Sequence, residues 1–163
     1  FLYCGCDRGA AAANPIMERK KRILFVCSAN TCRSPAAEAI LREYGGDRYD
    51  AASAGLFAHD GEPMMASCAA VLSALFGREV SPVSHRSARL TEEMLRSSDM
   101  TVAVSEGYAA LLRAYFPEYS EKITALPEGI SDISRLAGEE LMDGIRRIRD
   151  GISAMFLENK DED

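Results

Sequence analysis

The stretch Ile23-Leu24-Phe25-Val26-Cys27-Ser28-Ala29-Asn30-Thr31-Cys32-Arg33-Ser34-Pro35 constrains this chain more than any other. Apolar residues run into a cysteine, small and polar residues follow, and Ser-Pro then opens an alanine-rich segment. The apolar run predicts a buried strand ending at Cys27, and Ser34-Pro35 predicts the start of a helix. A strand and a helix joined by so short a loop leave the loop's backbone N–H groups facing one small concavity, with a helix N-terminus behind it. Such a concavity suits a phosphate-sized dianion. The same field favours the thiolate form of a cysteine, which makes Cys27 a candidate nucleophile. Arg33 supplies a planar fork able to pair two oxygens of one anion.

Around this unit the sequence alternates between strand-like and helix-like segments, the pattern of an α/β domain. Strands are expected at residues 22–27, 49–54, 100–104 and 122–126. Helices are expected at 35–44, 63–76, 90–97, 107–116 and 138–157. Thr91 followed by Glu92 and Glu93 reads as a capped helix start. Parallel strands with helices on both faces form a single doubly wound domain, which binds ligands beyond the carboxyl ends of its strands. Cys27 ends the first strand, so its loop falls where this architecture places a site.

At 163 residues the chain has the length of one domain with a real core. Its net charge of −6 argues against nucleic acid or an anionic membrane as the main partner. No apolar run reaches transmembrane length. An odd number of cysteines at irregular spacing is not a disulfide framework, so a reducing, cytoplasmic location is expected. Residues 1–16 lack the charged start and apolar stretch of a signal peptide. They contain Cys4 and Cys6, but no histidine or further cysteine lies nearby to complete a metal site. They read as a disordered or misassigned leader before Met17, with residues 17–158 as the folded domain and 159–163 as an acidic tail.

Val26 to Glu38, VCSANTCRSPAAE, resembles the signature of the low-molecular-weight protein phosphatases, small tyrosine phosphatases with bacterial arginine-phosphatase relatives. Ser53-Ala54-Gly55, Ser84-His85-Arg86, Leu90-Thr91-Glu92-Glu93 and a late acidic loop at Asp132 follow in the family's order, so the resemblance spans residues 22–156. It implies a four-stranded parallel sheet of order 2-1-3-4. It also implies a hydrolase of phosphorylated protein or peptide side chains, acting as a monomer through a phosphocysteine intermediate with no metal or other cofactor. Cys27 is then the nucleophile, held with Arg33 in a phosphate loop made of Ser28, Ala29, Asn30, Thr31, Cys32 and Ser34. Ser34 can donate its hydroxyl to the Cys27 sulfur. Asn30 suits a left-handed backbone position, and the family pattern makes His85 its brace. Asp132 is the expected acid for the leaving group. Family members usually carry Asp-Pro and an aromatic residue there, whereas this chain has Asp132-Ile133-Ser134. Cys32 lies close enough in sequence to Cys27 for the reversible disulfide found in the family, and Cys68 reads as helix core.

Substrate choice rests on the walls of the loop. Thr31 stands where many tyrosine-specific relatives carry isoleucine or leucine. The arginine phosphatases resemble this chain in placing threonine there, where a hydroxyl can meet a guanidinium. Ser134 occupies the usual aromatic position, and Phe57 offers another wall. The resemblance therefore leans slightly toward phosphoarginine over phosphotyrosine. The competing readings are an arsenate reductase, a phosphoryl-carrier module and a non-catalytic phosphate-binding protein. The first needs resolving cysteines downstream, and none follows Cys68. Arg33, Asn30 and an acid at Asp132 favour hydrolysis.

Overall fold

The computed structural model describes residues 19–127, 133 and 136–158. The expected leader at 1–16 and tail at 159–163 lie outside them, as do Asp132 and Ser134. Strand β1 (Lys21–Cys27) is followed by helix α1 (Arg33–Gly45), β2 (Tyr49–Gly55), α2 (Ala66–Phe76) and the short α3 (Glu92–Ser97). Then come β3 (Met100–Ala103), α4 (Glu106–Tyr115), β4 (Ile123–Ala125) and α5 (Gly138–Ile152). The strands form one sheet of order β2-β1-β3-β4, every pairing parallel, as expected. Among the described residues, no helix is long and apolar enough to cross a membrane.

Successive side chains of a strand point to opposite faces, and β1 shows what this does for the fold. Ile23, Phe25 and Cys27 enter the core beneath α1, α2 and α5. Leu24 and Val26 enter a second core that contains Leu95 of α3 and Ala109 and Leu112 of α4. Because β1 is central and buried on both faces, it reads as a continuous apolar run rather than an alternating one. The first of these cores extends to Ile145 and Ile148 on the inner face of α5, both fully buried.

Most boundaries fall within two residues of the sequence reading, and the two that depart furthest are at the start of α2 and the end of α5. Helix α2 starts at Ala66 rather than residue 63: Met65 has an extended ψ of 137°, and the amides of Met64 and Met65 donate to Pro82 O (3.0 Å) and Thr31 O (2.9 Å). The second bond ties the entry to α2 directly to the loop that follows β1. The closing helix keeps its α geometry only to Ile152 and widens into a π-type turn over Ser153–Leu157, closed by Glu158 N donating to Ser153 O. Tyr49 Oη donates to Phe156 O at 3.0 Å within this turn, and the two rings meet edge to face.

Parallel register brings the strand ends together. Cys27 pairs with Gly55, and the chain beyond each strand stays in step, with Leu56 N donating to Cys27 O (2.8 Å) and Phe57 N to Ser28 O (3.0 Å). Val104 N donates to Val26 O at 3.1 Å on the other side. At Gly55 the backbones approach so closely that a Cβ would stand 2.5 Å from Ser28 O, 2.8 Å from Ala58 Cβ and 3.0 Å from Asn30 Cβ. Glycine is the residue that allows this contact. Gly55→Ala should therefore lower unfolding free energy by about 1–3 kcal/mol, the usual cost of overpacking, as read by urea denaturation; an unchanged midpoint would show that the loop can move aside.

Candidate active site

The residues between Cys27 and Ser34 form a tight loop whose carbonyls are largely engaged by groups outside it. Cys27 O and Ser28 O accept from the chain after β2, Thr31 O from Met65 N, and Cys32 O from Ala36 N at 2.9 Å. Asn30 O lies 2.8 Å from His85 Nε2. A carbonyl only accepts, so this contact places a proton on Nε2. The expected pairing of His85 with Asn30 is thus present, across 55 residues of sequence.

Asn30 is the one non-glycine residue with positive φ among the described residues, at 61°. Asparagine adopts this left-handed conformation more readily than most residues. Its side chain is fully buried and fully used. Nδ2 donates to Ser34 Oγ (2.8 Å) and to Ser53 Oγ (3.0 Å), while Oδ1 accepts from Ala88 N (2.9 Å). Ser53 in turn donates to Glu38 Oε1 at 2.6 Å, and Glu38 pairs with Arg42 one helical turn further along α1. A chain of hydrogen bonds therefore runs from the loop through β2 to the surface of α1.

The nucleophile candidate sits at the inner end of that chain. Cys27 Sγ lies 2.9 Å from Ser34 Oγ and accepts from Asn30 N at 3.3 Å. Ser34 already accepts from Asn30 Nδ2, which leaves its hydroxyl proton for the sulfur or for the more distant Ala54 O at 3.4 Å. Cys27 is almost wholly buried, Ser28 and Thr31 half-buried, and Ala29 exposed, so Ala29 and Thr31 form the rim of the loop. Helix α1 begins at Arg33 with no side-chain cap and no acidic residue in its first turn. Its terminal amides, and the positive end of its dipole, thus meet no carboxylate from the helix's own first turn. Arg33 is itself buried, with its guanidinium carbon 5.5 Å from the centre of the Tyr108 ring.

Three thiols converge beside this loop. Cys32 is buried at the helix-capping position, and Cys68 of α2, fully buried, donates to Cys32 O at 3.6 Å. The neighbouring Cys32 side chain and then burial push the Cys68 thiol's pKa up, so it is held protonated. The helix-core expectation for Cys68 holds, but the sequence reading misses its contact with Cys32. Phe57, the candidate wall, projects about half-exposed from the segment bonded to Ser28. Ile133, which stands where the family usually has proline, is buried against Gly144 of α5 in a notch where a Cβ would approach its Cγ2 to 2.8 Å. The sequence reading also passes over Glu38 and Tyr108. A glutamate on a solvated helix face and a lone tyrosine carry no local signal of a role.

This arrangement agrees with what the chain resembles among known proteins. Residues 22–143 match the family model described as low molecular weight phosphotyrosine protein phosphatase. The chain belongs to this family. It is 34% identical over 112 residues to a protein-arginine-phosphatase of Bacillus subtilis, covering 67% of this chain and 72% of that one. It is 32% identical over 135 residues to an arsenate reductase of Halalkalibacterium halodurans, covering 82% and 90% respectively. A solved low molecular weight protein tyrosine phosphatase from T. tengcongensis superposes with a TM-score of 0.76 at 30% identity, over 83% of this chain and 97% of its own. The enzyme is therefore of the protein-tyrosine/arginine phosphatase type.

The Asn30 network leads to a graded expectation. Asn30→Ala loses three hydrogen bonds and meets a backbone angle that alanine resists, so it should cost about 2 kcal/mol or more. Asn30→Gly loses the same bonds but accepts the angle, and should cost less. Urea denaturation of the two variants checks the order; equal losses would remove the backbone angle from the account.

Proposed function

We propose that the protein is a metal-independent protein phosphatase in which Cys27 attacks phosphorus and forms a phosphocysteine. The observation that carries this reading is the pair of hydrogen-bonding groups on Cys27 Sγ, Ser34 Oγ at 2.9 Å and Asn30 N at 3.3 Å, at the foot of an uncapped helix. Hydrogen bonds to sulfur stabilise the thiolate for attack and again as it leaves phosphorus. The loop amides of Ser28, Ala29, Asn30, Thr31 and Cys32, together with Arg33, hold the equatorial oxygens as charge grows on them. Asp132, outside the described residues, protonates the leaving group and then activates the water that hydrolyses the phosphocysteine. His85 and Asn30 take no part in proton transfer; they keep the loop in its receiving shape.

The substrate is a phosphorylated protein or peptide side chain, with phosphoarginine favoured over phosphotyrosine. Support comes from Thr31, half-buried at the rim, and from the relative named a protein-arginine-phosphatase. Ser134 and Phe57 complete the walls on this reading. Cys32 protects Cys27 by forming a reversible disulfide with it under oxidation. Arsenate reduction is the second reading, favoured by the 32% identical relative. It would require a resolving thiol, and the last cysteine of the sequence is Cys68, a free thiol buried in α2 that donates to Cys32 O, with no separate pair after it in this sequence.

Wild-type protein should hydrolyse p-nitrophenyl phosphate undiminished by EDTA, and Cys27→Ser should abolish turnover. Asp132→Asn should lower kcat by roughly 10² for a poor leaving group. Chelator sensitivity would remove the metal-free mechanism, and full activity of Asp132→Asn would move the acid elsewhere. Substrate choice is read by comparing kcat/KM for a phosphoarginine and a phosphotyrosine peptide. Thr31→Ile should shift the ratio toward phosphotyrosine by about 10-fold, the scale of one altered pocket contact; an unchanged ratio sinks the role of Thr31.

A further inference from the structure

Arg33 is the first residue of α1, so a cation is buried at the positive end of a helix dipole, where its own helix disfavours it. One contact on the guanidinium comes from a different element. The ring of Tyr108 lies beneath it, 5.5 Å from centroid to guanidinium carbon. A face-on aromatic ring attracts a guanidinium through its quadrupole without neutralising it or competing for its N–H donors. A carboxylate in that position would compete directly with a bound phosphate.

Tyr108 is itself rigidly placed. It lies in the first turn of α4, where its amide donates to the capping Ser105 Oγ at 3.3 Å. Its side chain packs against both hydrophobic cores, so it bridges the two faces of the sheet. The connection from β3 into α4 is fixed to β1 by Val104 N donating to Val26 O, one residue before Cys27. The ring and the phosphate loop are thus mounted on neighbouring strands in fixed register.

We propose that Tyr108 is a positioning residue that orients the Arg33 guanidinium for oxyanion binding by stacking beneath it. The inference rests on the reading of the loop as a phosphate site, but it concerns binding and not hydrolysis. The test uses the full chain, with inorganic phosphate as the probe in calorimetric titration and the Arg33 Nε–H resonance as a direct signature. In wild type and Tyr108→Phe that resonance should carry the upfield shift produced by a ring face, and phosphate affinity should agree within about 2-fold, because the ring is kept. In Tyr108→Leu the shift should vanish and phosphate affinity should fall by about 3- to 30-fold, the range a cation–π contact supports. KM for p-nitrophenyl phosphate should rise in step. Tyr108→Met, which fills the space without a ring, serves if Tyr108→Leu fails to fold.

An unshifted Arg33 resonance in wild type, or phosphate affinity in the ringless variants equal to wild type, overturns the proposal. A Tyr108→Phe variant as impaired as Tyr108→Leu overturns it as well, because it would assign the effect to the hydroxyl. Wild-type protein that binds phosphate but hydrolyses nothing removes the phosphatase reading and leaves the role of Tyr108 standing. Wild-type protein that binds no phosphate removes both.

Discussion

A single buried amide holds the site together. Asn30 sits where the chain must turn through a left-handed angle, and its side chain ties that turn to Ser34, Ser53 and Ala88. Buried amide hydrogen bonds are strong in a low-dielectric interior and costly to leave unmade, so the conformation that satisfies all of them is sharply preferred. His85 adds a hold on the same residue's carbonyl. The loop therefore has its receiving shape before any ligand arrives, and binding does not have to supply the ordering free energy.

The parallel sheet delivers the remaining parts. Because β1 has neighbours in register on both sides, three different chain segments are brought against one loop. The segment after β2 closes on Cys27 and Ser28, the entry to α2 on Thr31, and the start of α4 on Arg33. Close backbone approach demands glycine at Gly55, where even a methyl group would meet Ser28 O. The charge pattern follows from the same placement. An uncapped helix end and a buried arginine collect positive potential at one point in a chain whose net charge is −6.

Membership of the phosphatase family accounts for the loop and leaves the substrate to the rim. The B. subtilis relative is named for arginine phosphate and the H. halodurans relative for arsenate, and both cover most of their length with this chain. Such spread on one fold is ordinary, since function lies in the site and not in the architecture. The sequence departs from the family pattern most clearly at Asp132-Ile133-Ser134. Ile133 is buried and seated against Gly144 of α5. Cys27, Cys32 and Cys68 are buried in one core, where α2 brings Cys68 to Cys32 O.

The features set by the sequence alone are those governed by neighbours along the chain. The apolar run into Cys27, the Ser-Pro helix start, the spacing from Cys27 to Arg33 and the tolerance of Asn30 for its backbone angle are local, and the strand, loop and helix were legible from them. Element order followed from alternating patterns, with errors confined to ends such as residues 63–65, whose amides find partners outside the helix. His85 was legible only through family resemblance. The partnership of Glu38 with Ser53, of Cys68 with Cys32 and of Tyr108 with Arg33 was not legible at all. Each joins residues on different elements, and their meeting depends on which strands are neighbours, in what register, and which face each helix covers. Chain-local preferences decided that there would be a tight strand–loop–helix turn after Cys27, and tertiary packing decided what holds it still.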